Sequence, residues 1–370
     1  MSARFLTVVL ERAFNMRDGF GREIDYMRIS VIDSCNLNCY YCNPCDNNEH
    51  CHALNILSVK EVLCIVRAAT RLGIKHFRLT GGEPLLHPQL DEMVLQIKKI
   101  PGVSSVSLTT NAVLLVQHAK WLKEAGIDSI NVSLDTIDAS EYERITKKPL
   151  LEEVKHGINA AIECGIRVKI NVVLTPQTDV VALTRYVAKK GTDIRFIEMM
   201  PVGEGHTNGV EPYKKVIGTL SKLYGEPCRI NTEKTKEINS GNDKRKIPDN
   251  GPAEYYIFPE LGIRVGLIQA IHGKFCDTCN RIRVTADGRL MPCLGSSVTM
   301  DLVPDSWEFA DDVEKDFAIV RALRAAIKAK PRCHNFNDNA VTYTKTTETK
   351  TTEIEAAEVN AARNMSRIGG

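Results

Sequence analysis

Three cysteines, Cys35, Cys39 and Cys42, fall within the eight residues CNLNCYYC, and this spacing constrains the chain more than any other feature. Three thiolates on one short loop can wrap three corners of a cubane iron–sulfur cluster and leave the fourth iron open to a further ligand. A structural zinc site normally closes four ligands, and this is not a usual zinc spacing. Cys45 and Cys51 lie just downstream and read as incidental loop cysteines rather than as a fourth thiolate. Twelve cysteines in 370 residues would suggest a disulfide framework in a small secreted protein. Here the first residues show no long apolar run with a small-residue cleavage site, and no stretch approaches the roughly 20 apolar residues that span a bilayer. The expectation is a cytoplasmic protein with reduced thiols, used for metal or redox chemistry. The 48 basic and 46 acidic residues nearly cancel, which argues against nucleic acid or a membrane surface as partner. A phosphate-rich ligand would need local clusters of Arg and Lys.

The pattern along the chain is α/β. MRISVID (Met27 to Asp33) reads as a strand running into the cysteine loop, and Ser58 with Glu61 forms a capping box for a helix ending near Gly73. Strand-like runs recur at Ile74 to Thr80, Val103 to Thr110, Ile127 to Leu134, Ile166 to Leu174 and Asp193 to Met200, with amphipathic helical patterns between them. Repeated βα units imply a parallel sheet with right-handed crossovers. A partial (βα)6 TIM-type barrel is expected over residues 1–225, with an open doubly wound sheet as the alternative. Residues 226–333 read as a C-terminal α+β extension, with a hairpin at Asp287-Gly288 and a helix from about Asp311 to Lys330. Residues 334–370 form a polar, low-complexity tail that ends in Ile368-Gly369-Gly370.

The extension carries a second trio, Cys276, Cys279 and Cys293, in FCDTCNRIRVTADGRLMPC. A second iron–sulfur cluster with an open iron is favoured over a zinc site completed by His272 or Cys333. Arg281 and Arg283 alternate on the strand leaving it, and Arg suits bidentate phosphate contacts. Arg28 and Lys169 are basic residues inside apolar strand runs, where an unpaired charge would be costly; a bound triphosphate would account for them.

The CNLNCYYC spacing, with Tyr41 before the last cysteine, and Gly81-Gly82-Glu83-Pro84 after the second strand resemble the radical S-adenosylmethionine superfamily. With the second trio, and with FGREIDYMRIS, SLTTN, INVSLDTID, RFIEMMPVG, GPAEYY, CNRIRVTADGRLMPCL and a terminal IGG, the chain resembles the GTP 3′,8-cyclase family of molybdenum cofactor biosynthesis nearly end to end. The resemblance implies a lyase with two 4Fe-4S clusters and S-adenosylmethionine as cofactors. A 5′-deoxyadenosyl radical would take the C3′ hydrogen of GTP, and attack on C8 would give (8S)-3′,8-cyclo-7,8-dihydro-GTP.

By the same resemblance Tyr41, Gly82, Ser133 and Met200 contact S-adenosylmethionine. Arg28, Arg78, Thr109, Lys169, Arg281, Ile282 and Arg283 contact GTP, and Arg281, Arg283, Gly369 and Gly370 take part in catalysis. Composition alone would make the last glycines a frayed tail; the resemblance brings them into the active site along a path too narrow for side chains. It also implies an external one-electron reductant, cyclic pyranopterin monophosphate synthase acting downstream, and a homodimer. TPQTDVV after the fifth strand and Asn43 after the third cysteine depart from the family pattern. A peptide-modifying radical maturase and a zinc-stabilised binding module are the competing readings, and neither accounts for CNRIR together with IGG.

Overall fold

The computed structural model describes residues 16–42, 55–202, 210–230, 251–296, 298–302, 312–334 and 336. Cys45, Cys51, Gly369 and Gly370 lie outside the described residues, so the loop-cysteine and active-site-tail expectations concern positions on which the structure does not bear.

Six βα units form the body. The strands are β1 (Tyr26–Ser30), β2 (His76–Thr80), β3 (Ser105–Thr110), β4 (Ser129–Ser133), β5 (Val168–Val173) and β6 (Asp193–Ile197). The helices are α1 (Val59–Arg71), α2 (Leu90–Lys98), α3 (Leu115–Glu124), α4 (Ala139–Thr146), α5 (Leu151–Glu163), α6 (Val180–Lys189) and α7 (Gly218–Tyr224). The six strands lie in sequential order, and all are parallel. A doubly wound sheet reverses its strand order at a switch point. Sequential order carries every crossover the same way round, as in a TIM-type barrel.

The helix starts are chemically specified. Ser58 and Glu61 form the expected capping box, while the carboxylates of Asp138 and Asp179 accept from the backbone N–H of Glu141 and Ala182 at 2.8 and 2.9 Å. The expected strands begin too early at Ile74, Ile127 and Ile166. These side chains are buried at the barrel floor but sit on the turns before the ladders start.

The C-terminal segment builds onto the same sheet. It supplies β7 (Cys228–Ile230), β8 (Glu254–Ile257), β9 (Arg264–Ile268), β10 (Arg281–Val284), β11 (Arg289–Met291), β12 (Met300–Asp301) and α8 (Asp312–Lys328). β9 pairs in parallel with β6, and β10 in parallel with β1, so the segment lengthens both edges of the six-stranded body. Asp287-Gly288 turns β10 antiparallel into β11, with Gly288 at φ 75°. Helix α8 lies against α1, where Arg71 and Asp316 pair at 2.8 Å.

The strands alternate strictly. Met27, Ile29, Phe77, Leu79, Val106, Leu108, Ile130, Val132, Ile170, Val172, Ile194 and Phe196 face outward into the core beneath the helices. The intervening residues are mostly polar and line the concave side. Strands of parallel sheets, buried on both faces, usually read as continuous apolar runs. Here the inner face surrounds a cavity.

Candidate active site

The first cysteine loop leaves the carboxyl end of β1 and is held through its backbone. Gly82 N–H donates to the Ile32 carbonyl at 2.7 Å and Glu83 N–H to that of Ser34 at 2.8 Å. On the loop's other side, Asn38 N–H donates to the Thr146 carbonyl at 3.0 Å and Tyr40 N–H to that of Ile145 at 3.1 Å, at the end of α4. The crossing is so tight that a Cβ on Gly82 would lie 2.2 Å from the Ser34 carbonyl oxygen, and one on Gly81 2.3 Å from that of Ile32. Only glycine permits this approach. Glu83, buried beneath it, accepts from Leu85 N–H at 3.0 Å, the Thr110 hydroxyl at 2.6 Å and Asn111 N–H at 2.7 Å. Asn111 Nδ2 donates to Asn36 Oδ1 at 2.7 Å and lies 3.8 Å from Cys35 Sγ. Tyr41 donates its hydroxyl to Asp135, whose other oxygen accepts from Val173 N–H at 2.7 Å. Carboxylates at the ends of β2 and β4 thus tie the cysteine loop, through Asn111 and Tyr41, to the ends of β2, β3, β4 and β5.

Burial pushes Glu83 up to about 7, against the lowering by Asn111, Thr110 and Leu85, and pushes Asp135 up to about 6. A carboxyl group whose pKa is raised by folding stabilises the fold fully below its unfolded pKa, near 4.5 for Glu. That contribution is lost as pH rises through the folded value. The cluster-free chain should therefore unfold more easily at about pH 8 than at about pH 5, with Glu83 accounting for on the order of 2 kcal/mol. Glu83→Gln should shrink this difference in urea titrations whatever it does to absolute stability, and an unchanged pH slope would refute the assignment.

A cavity of about 670 Å³ opens on the concave face. Its wall is a ladder of cations in register: Arg283 pairs with Arg28 and Arg28 with Arg78, while Arg281 pairs with Tyr26 one step below. Across the cavity Thr109, Asn131 and Lys169 share a row. Lys169 donates to the Tyr255 hydroxyl at 3.4 Å, and the Tyr255 ring also carries Arg264, 5.3 Å from its centroid. Crowding of like charges shifts the pKa values of this wall. Arg28 is held well below the usual arginine value by burial first and then by Arg283, with Arg78 and Arg281 adding to it. Arg283 falls to about 10, from burial and then Arg281. Burial alone would raise Tyr26, but Arg78, Arg28 and Arg281 outweigh it and bring the phenol down to about 8. Its hydroxyl accepts from Arg78 Nε. Such a wall is suited to an anion of high charge.

The two cysteine trios lie at opposite ends of this wall. β1 and β10 run parallel, with Tyr26 beside Arg281. Cys279 therefore precedes the amino end of the pair, while Cys35 follows its carboxyl end. A five-residue strand rises roughly 15 Å. All six cysteines line the same cavity.

Among the described residues no group of three His, Cys, Asp or Glu converges tightly enough to hold a single metal ion. The donors fit a larger group. Cys39 is pushed well above the ordinary thiol value by burial and then by Cys42, Asp135 and Cys35, and Cys35 up to about 11 by burial and Glu83, so three thiols share one buried patch. Three thiolates there call for a cationic centre, which an iron–sulfur cluster supplies. In the second trio burial raises Cys276, with Cys293 and Cys279 acting in the same direction. At Cys279 burial is outweighed by Arg281 and Lys330, and its pKa is lowered.

Tyr41, Gly82, Ser133, Met200, Arg28, Arg78, Thr109, Lys169, Arg281 and Arg283 all line the cavity with the cysteines. Ile282 does not. Its side chain is in the core, 1% exposed, so only its backbone can serve a ligand. Sequence reasoning missed Tyr26, Asn131, Asn171 and Arg195, which line the cavity, with Arg195 Nε donating to Asn171 at 2.9 Å. Their signal was the period-two alternation, since each is an even step from a residue already singled out on its own or a paired strand. It also missed Asp135 and Lys330, which no local pattern marks.

Residues 29–182 match the radical SAM superfamily model, and residues 192–336 the model described as Molybdenum Cofactor Synthesis C. Among solved structures the fold is similar to Streptococcus suis SuiB bound to S-adenosylmethionine, with a TM-score of 0.54 and 16% identity over 82% of this chain and 68% of that one. Fold and site together define a radical SAM enzyme, one that uses S-adenosylmethionine and an iron–sulfur cluster. The chain is 35% identical over 324 residues to the GTP 3′,8-cyclase of Clostridium perfringens (strain SM101 / Type A), covering 87% of this chain and 95% of the relative. It is 37% identical over 327 residues to that of Pelotomaculum thermopropionicum, covering 86% and 95%. The chain belongs to the GTP 3′,8-cyclase family. No helix among the described residues is long and apolar enough to cross a membrane.

Proposed function

We propose that this chain converts GTP, with S-adenosylmethionine as co-substrate, into (8S)-3′,8-cyclo-7,8-dihydro-GTP, the first step of molybdenum cofactor biosynthesis. The observation that carries this reading is the layered cavity: one cysteine trio at each end, with the Arg28, Arg78, Arg281 and Arg283 wall between. An iron–sulfur cluster with bound S-adenosylmethionine, given one electron, would supply the 5′-deoxyadenosyl radical needed to take the ribose C3′ hydrogen.

The protein's work is placement. Cys35, Cys39 and Cys42 hold the first cluster, and Tyr41, Gly82, Ser133 and Met200 surround the co-substrate at the same end. Arg28, Arg78, Arg281, Arg283 and Lys169 hold the triphosphate, with Thr109 and the Ile282 backbone as further contacts. Fixing the charged tail on five cations leaves the ribose little freedom to turn away from the radical source. Cys276, Cys279 and Cys293 would hold a second cluster at the other end of the cavity, where its open iron could bind the purine. Gly369 and Gly370 complete the site, an external one-electron reductant drives turnover, and the product passes to cyclic pyranopterin monophosphate synthase. The working form is a homodimer.

Anaerobically reconstituted protein, given dithionite and S-adenosylmethionine, should form 5′-deoxyadenosine in a GTP-dependent manner together with a cyclised nucleotide. Cleavage indifferent to GTP would overturn the substrate assignment.

A further inference from the structure

The second trio comes from two separate segments, the turn before β10 and the end of the β10–β11 hairpin. Two buried cations, each near one end of the described chain, grip the backbone beside every one of its cysteines. Arg22 is paired with Asp18 at 2.5 Å, their side chains 7% and 0% exposed. Asp18 also accepts from the backbone N–H of Phe20 and Arg22, so the guanidinium is locked in place. Its remaining N–H groups donate to three carbonyls: Cys276 at 2.7 Å, Arg332 at 2.9 Å and Pro331 at 2.6 Å. Lys330, 3% exposed, donates to the carbonyl of Arg281 at 2.8 Å and to that of Pro292 at 2.9 Å. Arg281 lies two residues after Cys279, and Pro292 immediately precedes Cys293. Arg22 thus ties down the first cysteine, and Lys330 the neighbours of the other two. The segment Pro331-Arg332, gripped by Arg22, directly follows Lys330 and links the two anchors.

Lys330 also carries a charge that needs an anion. Among the described residues no carboxylate pairs with it. Its hydrogen-bond partners are two carbonyls, that of Arg281, two residues after Cys279, and that of Pro292, immediately before Cys293. A buried ammonium held only by neutral acceptors is costly, whereas one beside a group of thiolates is compensated.

We propose that Arg22 and Lys330 are positioning residues of the second cysteine trio, which hold its loop and hairpin at cluster-binding distance and, through Lys330, supply the positive charge its thiolates need. This rests on the reading that the trio holds a cluster, and it assigns to two residues outside the trio the retention and electronic character of that cluster. Outer-shell partners of this kind typically change metal affinity 10- to 100-fold when removed.

The test uses the full chain, reconstituted anaerobically, with Lys330→Met, which removes charge at similar volume, and Arg22→Lys, which keeps charge but loses the three-carbonyl fork. Wild-type protein should hold about eight irons per chain, as two 4Fe-4S clusters require. About four in the wild type would overturn the second-cluster reading itself, before any variant is considered. Given about eight, both variants should lose iron from the second site to a chelator at least about tenfold faster than wild type. The first cluster's electron paramagnetic resonance signal and its S-adenosylmethionine cleavage should be retained. Lys330→Met alone should also lower the second cluster's reduction potential, because a buried positive charge beside it is gone. Variants that keep wild-type iron retention and second-cluster spectrum would overturn the proposal. So would variants that merely melt earlier as cluster-free chains with retention unchanged. Should Lys330→Met fail to fold, Lys330→Arg decides: restored folding with a retained second-cluster potential supports the charge role, and iron loss as fast as in Arg22→Lys despite that charge overturns it.

Discussion

Cys39→Ala is expected to abolish formation of 5′-deoxyadenosine, a loss of more than about 1,000-fold, because the proposed radical source would depend wholly on the group that Cys35, Cys39 and Cys42 are proposed to hold. Alanine removes one of three ligands while the loop keeps its shape. The backbone bonds from Asn38 and Tyr40 to the end of α4, and from Gly82 and Glu83 to Ile32 and Ser34, do not involve the thiol. Circular dichroism of the cluster-free variant should therefore match the wild type, and iron should fall by about four per chain. Cys279→Ala gives the complementary result: about four irons are lost, S-adenosylmethionine is still cleaved, and cyclised nucleotide disappears. If Cys39→Ala retained cleavage, the first trio would not be the radical site.

The six-unit body was legible because its punctuation is local. Ser58 with Glu61, the glycine that follows every helix of the body except α4, and the apolar runs all report on their own neighbourhoods. The C-terminal segment was harder to place, because nothing within Arg264–Ile268 or Arg281–Val284 says which strand it will join. The pairing of Arg28 with Arg283 spans the whole body, and it creates the cation wall. The role of Gly81 and Gly82 was legible as a motif, but the physical reason, a crossing that would put a Gly82 Cβ only 2.2 Å from a carbonyl oxygen, required the loop's three-dimensional path. The alternation in HFRLT, SVSLTT and SINVS was present in the sequence and marked a polar concave face. Read with that period, Tyr26, Asn131 and Asn171 would have joined the candidate residues. Asp135, Arg22 and Lys330 could not have been found this way, since each acts on a partner distant in sequence: Tyr41, Cys276 and Arg281.

Arg28→Met should raise the KM for GTP by about 100-fold, equivalent to about 3 kcal/mol, while the cluster-free chain becomes no less stable than wild type. Arg28 lies between Arg283 and Arg78 in the strand register, and burial together with those neighbours disfavours its charged form in the fold. A cation that folding disfavours costs stability until an anion arrives. Removing it relieves repulsion in the empty cavity and deletes a charge-assisted contact in the filled one, so the two measurements should move in opposite senses. A purely structural arginine would do the reverse, lowering the unfolding midpoint and leaving KM near its wild-type value. Salt separates the cases further: if the wall acts by charge, the wild-type KM should rise with ionic strength, and the Arg28→Met slope should be shallower. GTP-independent cleavage of S-adenosylmethionine should stay at its wild-type level in the variant, because the first cysteine loop is anchored through Glu83, Asn111 and Asp135 and not through the arginine wall. A fall in that background rate would place Arg28 in the support of the radical source rather than in the grip on the triphosphate.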